Sequence, residues 1–313
     1  MNKWGIDLGG TKIECVVLNS DNEVLFRDRV PTEQAHGYGH ILGQIQKVLN
    51  MAKTRTGHSP EFVGICTPGA IDAETGLLKN SNTVVLNGKP FKNDLEQLLN
   101  VSLGFENDAN CFALAEYHMG AVAQTVPDAA CVFGIILGTG VGGGVVVNGQ
   151  LLSGRHGIAG EWGHNFLDES GGPCYCGKTG CVETVISGPA LERFYRNISG
   201  GDDRKLKDIL ARARTGEDEA AVRTLNRLLH FFGYGISWIV NILDPDAIII
   251  GGGVGNTPEL YSRGHEFSLP WVFNPHMHTR LLKPALGDSA GVFGAAFLSP
   301  KPIYDEREIH TGP

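Results

Sequence analysis

The chain has 313 residues, 42% of them hydrophobic, with 26 Lys and Arg against 34 Asp and Glu and a formal net charge of −8. That length and apolar content predict about two domains with full cores, and the acidic balance, with no basic stripe, argues against a nucleic-acid surface. No apolar run reaches bilayer-spanning length, and Met1-Asn2-Lys3 leads straight into a strand, so the expectation is a soluble cytoplasmic protein with no membrane partner. Of seven cysteines, Cys15, Cys66, Cys111 and Cys131 are scattered, which fits a reducing compartment and not a disulfide framework.

In chain order, Trp4–Leu8 reads as an apolar strand ending in Asp7-Leu8-Gly9-Gly10-Thr11-Lys12, and Ile13–Leu18 resumes a strand up to the Asn19-Ser20-Asp21-Asn22 turn. Far downstream, Val132–Leu137 runs into Gly138-Thr139-Gly140-Val141-Gly142-Gly143-Gly144 and then Val145–Val147 before Asn148-Gly149. The two segments share one layout of strand, Gly/Thr corner, strand and polar turn, as a duplicated domain would leave behind. Backbone without Cβ can approach a phosphate closely and turn several N–H donors toward it. Two tight hairpins would account for either corner alone, whereas two in matching positions favour a nucleotide cleft. Neither fits Gly-x₄-Gly-Lys-Ser/Thr and neither opens a helix, which disfavours the P-loop and dinucleotide folds.

Between these corners, apolar residues recur at helical spacing from His40 to Met51, and Phe62–Cys66 reads as a buried strand ended by Thr67-Pro68-Gly69. Lys79-Asn80-Ser81-Asn82-Thr83 is a polar cluster that serves either as a surface turn or as a pocket lining. A short helix around Asp94–Leu99 precedes the strand Val101–Phe105. Glu106-Asn107-Asp108-Ala109-Asn110 then opens a helical pattern. Asn107 or Asp108 is explained by an N-cap role, and a carboxylate at a strand end is equally where α/β enzymes hold a base. Both readings stand at this point.

The stretch Gly160–Ser187 concentrates the chemistry. Cys174, Cys176 and Cys181 are separated by Gly and Lys instead of core-forming side chains, and His164 completes a Cys₃His set of the type that closes around structural Zn²⁺. Three reduced thiols in a loop and a thiol–disulfide switch are the alternatives; the latter leaves His164 unexplained. Beyond it, Pro189–Asn197, Asp208–Thr215 and Asp218–Leu243 read as helices, and Asp244-Pro245-Asp246 stops the last. The strand Ala247–Ile250 enters Gly251-Gly252-Gly253, a corner where backbone could press on a flat ligand. Asp288-Ser289-Ala290-Gly291 starts a final helix through Leu298, and the polar tail Ser299–Pro313 is expected to be loosely held.

Taken together, the Asp7–Lys12, Glu106–Asn110 and Leu137–Gly144 segments, Gly160-Glu161-Trp162-Gly163-His164, Cys174–Glu183 and Asp244–Gly253 resemble the ROK family of sugar kinases (repressor, open reading frame, kinase), within the actin-like, hexokinase-like ATPases. The resemblance covers nearly the whole chain. Bacterial fructokinases and mannokinases are the members most resembled, on Lys79–Thr83, Gly160–Asn165 and Pro173–Glu183, with N-acetylglucosamine kinases next. The His164–Cys174 connection is shorter than in either.

The resemblance implies an α/β fold of two actin-like, ribonuclease H-like domains with a nucleotide and sugar cleft between them. Residues 1–112, joined by a C-terminal helix within 288–313, would form one, and residues 113–287, with the zinc segment, the other. It implies Asp108 as general base, with Gly69, Asn80, Asn82, Asn107, Glu161, His164 and Glu183 around the sugar. Asp7 would hold Mg²⁺ through water, Gly9, Gly10, Thr11, Lys12, Gly138, Thr139, Gly140, Gly142 and Gly143 would grip the phosphates of ATP, and Gly251, Gly252 and Gly253 would sit beside adenosine. Structural Zn²⁺ would lie on His164, Cys174, Cys176 and Cys181, with the second His164 ring nitrogen on a sugar hydroxyl. A homodimer is implied. The expected reaction is ATP-dependent phosphorylation of a hexose 6-hydroxyl, fructose first, then mannose or glucose, with an N-acetyl amino sugar as the alternative acceptor. Repressor members add an N-terminal DNA-binding domain; the glycine corner here begins at Asp7, which disfavours that role.

Overall fold

In a computed structural model of the chain, residues 1–72 and 74–300 are described. The expected loose tail falls outside the described residues from residue 301 on, as does that part of the expected return segment. The chain divides into two units. The first holds Met1–Ala123, Gly149–Ala159 and the chain from Leu286 on; the second holds Gln124–Asn148 and Gly160–Ala285. The division falls beyond the expected 112/113 boundary because the whole helix Asp108–His118 packs within the first unit, against the final helix Ala290–Ala296.

The first unit is built on a sheet of β1 (Lys3–Leu8), β2 (Lys12–Leu18), β3 (Val24–Pro31), β4 (Phe62–Cys66) and β7 (Ser102–Glu106) in the order β3-β2-β1-β4-β7. The first three pair antiparallel, and β1, β4 and β7 run parallel. A two-strand ribbon, β5 (Ala70–Ile71) with β6 (Leu78–Lys79), lies between β4 and β7 in sequence. β3 is absent from the sequence expectation. Only Phe26 and Val30 face inward along it, and Arg27-Asp28-Arg29 interrupts the apolar run that would have announced a strand.

The helix Tyr38–Thr56 buries Ile41, Ile45, Val48 and Leu49 and ends at Gly57 in the left-handed region, a common helix stop. These side chains join those of β1, β2 and β4 in one continuous core.

The second unit repeats the plan with β8 (Cys131–Leu137), β9 (Val141–Val147), β11 (Ala247–Gly251) and β12 (Arg280–Leu282). β9 and β8 are antiparallel, and β8, β11 and β12 run parallel. The order β9-β8-β11-β12 therefore matches β2-β1-β4-β7, the duplicated layout that the hairpins foreshadow. The turn Asn148-Gly149, both residues at positive φ, leads to β10 (Gln150–Leu151). The long helix Glu219–Leu243, capped by Asp218 through the Ala221 N–H, supplies the apolar stripe of Leu228, Leu229, Phe232 and Ile236. The helix Glu259–Ser268 and the strand β12 are among the elements that escape the sequence reading. Among the described residues no helix is long and apolar enough to cross a membrane.

The final helix is shorter than expected, Ala290–Ala296, entered through a 3₁₀ turn at Gly287–Ser289. It lies directly on the first sheet. A Cβ added at Gly64 would stand 1.8 Å from the Ala295 carbonyl oxygen, and one at Gly5 2.4 Å from that of Val292. Backbone is in contact with backbone, so neither position has room to relax.

Gly64→Ala should therefore cost about 1–3 kcal/mol, the range for overpacking. Gly43→Ala, on the helix Tyr38–Thr56 with nothing within 4 Å of the new Cβ, should be neutral or add about 0.5–1 kcal/mol. Urea unfolding of both variants against wild type checks the pair. Equal midpoints for Gly64→Ala and wild type would show that the helix does not sit as described.

Candidate active site

In the first unit, Asp7 is the second-last residue of β1 and Asp108 opens the helix that follows β7. The backbone decides which of Asn107 and Asp108 caps the helix. Asn107 is the N-cap, extended at φ −78° and ψ 171°, and its Oδ1 accepts the Asn110 N–H at 2.8 Å. Asp108 is left in the first turn, where the helix dipole favours an anion. One of its oxygens accepts the Ala109 N–H at 2.9 Å, and the side chain stays open to solvent. Loss of water among the surrounding protein atoms still pushes its carboxyl above the usual carboxylate range.

Asp7 is half-buried, and burial likewise raises its pKa, with the charges of Glu14 and Asp108 adding to the effect. Gly291 lets the final helix begin against this carboxylate, since a Cβ there would meet Asp7 Oδ2 at 2.9 Å. Glu106 accepts hydrogen bonds from Asn110 Nδ2 at 2.7 Å and from the Ser153 hydroxyl at 3.1 Å, which ties the two ends of the Glu106–Asn110 segment together.

The corner Gly9–Lys12 is closed by the Gly9 N–H on Lys12 O at 2.9 Å and by Thr32, which donates its N–H to Thr11 O and its hydroxyl to Gly9 O. Lys12 Nζ donates to Glu14 at 3.0 Å, and Arg27 Nε donates to the same carboxylate at 2.6 Å. The two cations hold the Glu14 pKa down against its burial. Glu14 and Thr32 were not singled out in the sequence; a charged residue in the otherwise apolar β2 was the available signal. Gly69 carries φ +95° and lies against Lys79 O and Ser81, while Asn80 and Asn82 are exposed and Ser81 is pinned by the Asn87 amide.

In the second unit, the corner Gly138–Gly140 is closed by the Gly138 N–H on Gly140 O at 2.9 Å, and Gly138 O accepts the Gly188 N–H. Glu183, on the helix Val182–Ile186, accepts the Val141 N–H at 2.9 Å, so it props the glycine corner. Gly142 and Gly143 lie within β9. Gly163 brings the Glu161–His164 turn onto that strand; a Cβ there would be 2.0 Å from Val141 O. Trp162 is buried and donates its indole N–H to Gly235 O at 3.1 Å, which fixes Glu161 and His164 on either side. Gly251 closes β11, and Gly252-Gly253 begin a short helix, Gly252–Gly255, and are exposed.

His164, Cys174, Cys176 and Cys181 converge. Their donor atoms lie within 4.8 Å of one another. Cys176 Sγ and Cys181 Sγ are 3.6 Å apart, as are Cys174 Sγ and His164 Nδ1. A zinc–thiolate tetrahedron with bonds of about 2.3 Å has edges of about 3.7 Å, so the donor set fits such an ion. The antiparallel bridges Phe166 with Cys181 and Pro173 with Thr179 bring the short connection back on itself. Arg193, bonded to Gly171 O and Thr184 O, and Arg227, bonded to the Ser170 hydroxyl, tie its outer turn to the helices. Nδ1 is thus the His164 ring nitrogen beside the thiols, and the other, Nε2, meets the hydroxyl of the exposed Tyr175 at 3.0 Å.

The protein-family model described as the ROK family matches residues 3–301. The N-acetyl-D-glucosamine kinase of Haemophilus influenzae is 36% identical over 311 residues, spanning 94% of this chain and 98% of that protein. The enzyme of the same name from Histophilus somni is 37% identical over the same shares. Among solved structures, a ROK hexokinase from Thermus thermophilus superposes with a TM-score of 0.84 at 31% identity, covering 100% of both chains. A ROK-family glucokinase from Streptomyces griseus, solved with glucose and AMPPNP, has a TM-score of 0.68 at 30% identity over 95% of this chain and 98% of that one.

Proposed function

The chain belongs to the ROK family, and on that premise we propose that it is an ATP-dependent sugar kinase whose preferred acceptor is the 6-hydroxyl of N-acetyl-D-glucosamine. The observation that carries the choice of sugar is the identity of 36% to kinases of that name across 94% of the chain. Fructose, placed first by Lys79–Thr83, Gly160–Asn165 and Pro173–Glu183, moves behind it. Glucose is the second reading, favoured by the 30% identity over 95% of the chain to the glucokinase solved with glucose. The acting species is proposed to be a homodimer, on the resemblance alone.

Asp108 is the proposed general base. The Asn107 cap leaves its carboxylate uncommitted to helix termination, and its raised pKa brings it nearer the working range of a base. In a loose phosphoryl transfer the attacking hydroxyl loses its proton late, so orienting that hydroxyl counts for more than basic strength. Gly69, Asn80, Asn82, Asn107, Glu161, His164 and Glu183 are the proposed sugar contacts, with Glu183 also holding Val141. The exposed Tyr175 would turn aside to free His164 Nε2.

The phosphates of ATP are assigned to Gly9, Gly10, Thr11, Lys12, Gly138, Thr139, Gly140, Gly142 and Gly143, and adenosine to Gly251, Gly252 and Gly253. Glu14 holds Lys12 in place for this. Mg²⁺, which would neutralise phosphate charge, is assigned to the half-buried Asp7. Structural Zn²⁺ is assigned to His164, Cys174, Cys176 and Cys181, where it would fix the His164 ring without entering the reaction.

ADP release measured over N-acetylglucosamine, N-acetylmannosamine, glucose, mannose and fructose should give the highest kcat/KM for N-acetylglucosamine, by about tenfold or more. A higher value for fructose would restore the other order. Asp108→Asn should lower kcat by about 10²–10⁴ while sugar binding persists. In wild type the base works only when deprotonated, so kcat/KM should fall as pH drops through a value above the ordinary 3.8 of a carboxyl. Metal analysis of protein gel-filtered in metal-free buffer should find about one tightly held zinc per chain and none after Cys176→Ser with Cys181→Ser; normally folded protein without zinc would refute that site.

A further inference from the structure

The first unit carries another group of metal-type donors that the phosphoryl-transfer reading leaves unused. Glu33, His36 and His40 each offer one atom, and the three atoms lie within 4.8 Å of one another. His40 Nε2 is 2.9 Å from Glu33 Oε2, and His36 Nδ1 is 3.9 Å from the same oxygen. The two imidazoles meet edge to face with centroids 4.8 Å apart.

Local structure brings them together. Glu33 sits in the left-handed region at φ 47° and ψ 48°, turning the chain from β3 into the 3₁₀ segment Gln34–His36. Gly37 then leads into the helix Tyr38–Thr56, whose first turn holds His40. The base of the segment is fixed. Thr32 is buried and bonded to both Gly9 and Thr11, and the buried Gln44 amide donates to Pro31 O at 2.7 Å and to Glu33 Oε2 at 3.4 Å. The carboxylate is thus aimed at the imidazoles by a side chain behind it, the usual support of a metal ligand.

We propose that Glu33, His36 and His40 form a second metal site, on the surface of the first unit, for a divalent transition-metal ion of the zinc or nickel class. Two imidazoles and one carboxylate suit such an ion, whereas Mg²⁺ and Ca²⁺ take oxygen ligands. Bonds of about 2.0–2.1 Å place neighbouring ligands about 2.9–3.4 Å apart in octahedral or tetrahedral sites. Glu33 and His40 already stand at that separation, so the ion takes the place of the proton they share. His36, with a side chain 64% exposed, closes the remaining distance by rotating. The Glu33 charge offsets the positive end of the helix Tyr38–Thr56, which would otherwise repel a cation. Three protein ligands leave the other positions to water.

Calorimetric titration of Ni²⁺ tests this on the full chain, purified with zinc and then gel-filtered in metal-free buffer so that only tightly held zinc stays, in the presence of excess Mg²⁺. One equivalent of Ni²⁺ should bind to wild type, with affinity reduced tenfold or more in His36→Ala and in His40→Ala. Both histidines are exposed or half-exposed, so thermal unfolding of the variants without added Ni²⁺ should match wild type, which separates lost binding from lost folding. Absence of a saturable Ni²⁺ event in wild type, or unchanged affinity in the variants, would overturn the site.

Discussion

The first unit depends on backbone lying against backbone at the final helix. Ala290–Ala296 rests on β1 and β4 through Gly5 and Gly64 and on the helix Asp108–His118 through Gly294, where a Cβ would stand 1.8 Å from the Cys111 carbonyl oxygen. Protein interiors are packed too densely to absorb a methyl group at such distances. The same contact places the chemistry. The helix begins at Asp7 because Gly291 permits it, and it supports the helix that starts with Asp108, so two carboxylates with raised pKa values are positioned by one packing arrangement.

The second unit uses the same device for a different purpose. Gly163 presses the Glu161–His164 turn onto β9, and Glu183 returns from the end of the cysteine stretch to hold the Val141 N–H. The glycine corner at Gly138–Gly140 is thereby joined to the Cys₃His cluster through one short helix. A dication at the cluster would stiffen a segment that has few apolar side chains of its own. Its effect would reach the corner through Cys181, Val182 and Glu183, not through any direct contact with a phosphate.

Much of this was legible in the chain. The two hairpins, their corners, β4, the long helix and the four members of the Cys₃His cluster all carry local signals of periodicity, glycine or ligand type. Elements without such signals were missed. β3 shows only Phe26 and Val30 to the core, and the helix Glu259–Ser268 buries Leu260, Gly264 and Ser268, too little apolar surface to make a stripe. That Asn107 and not Asp108 caps the helix depended on a backbone conformation that residue type does not determine. Glu183 reads as a sugar contact, and only the folded chain reveals its bond to Val141. The identity of the sugar is set by the shape of a pocket, and neither motif nor spacing reports shape.

The most direct test of the proposed reaction is the structure of its product. Wild-type protein would be incubated with N-acetyl-D-glucosamine and Mg-ATP, and the phosphorus and proton NMR spectra of the products recorded. A phosphoryl group coupled to the two protons on carbon 6, formed in step with ADP, is the predicted result. ADP accompanied by free phosphate and no sugar ester, or an ester on the anomeric carbon, would contradict the assignment of Asp108 as the base for the 6-hydroxyl.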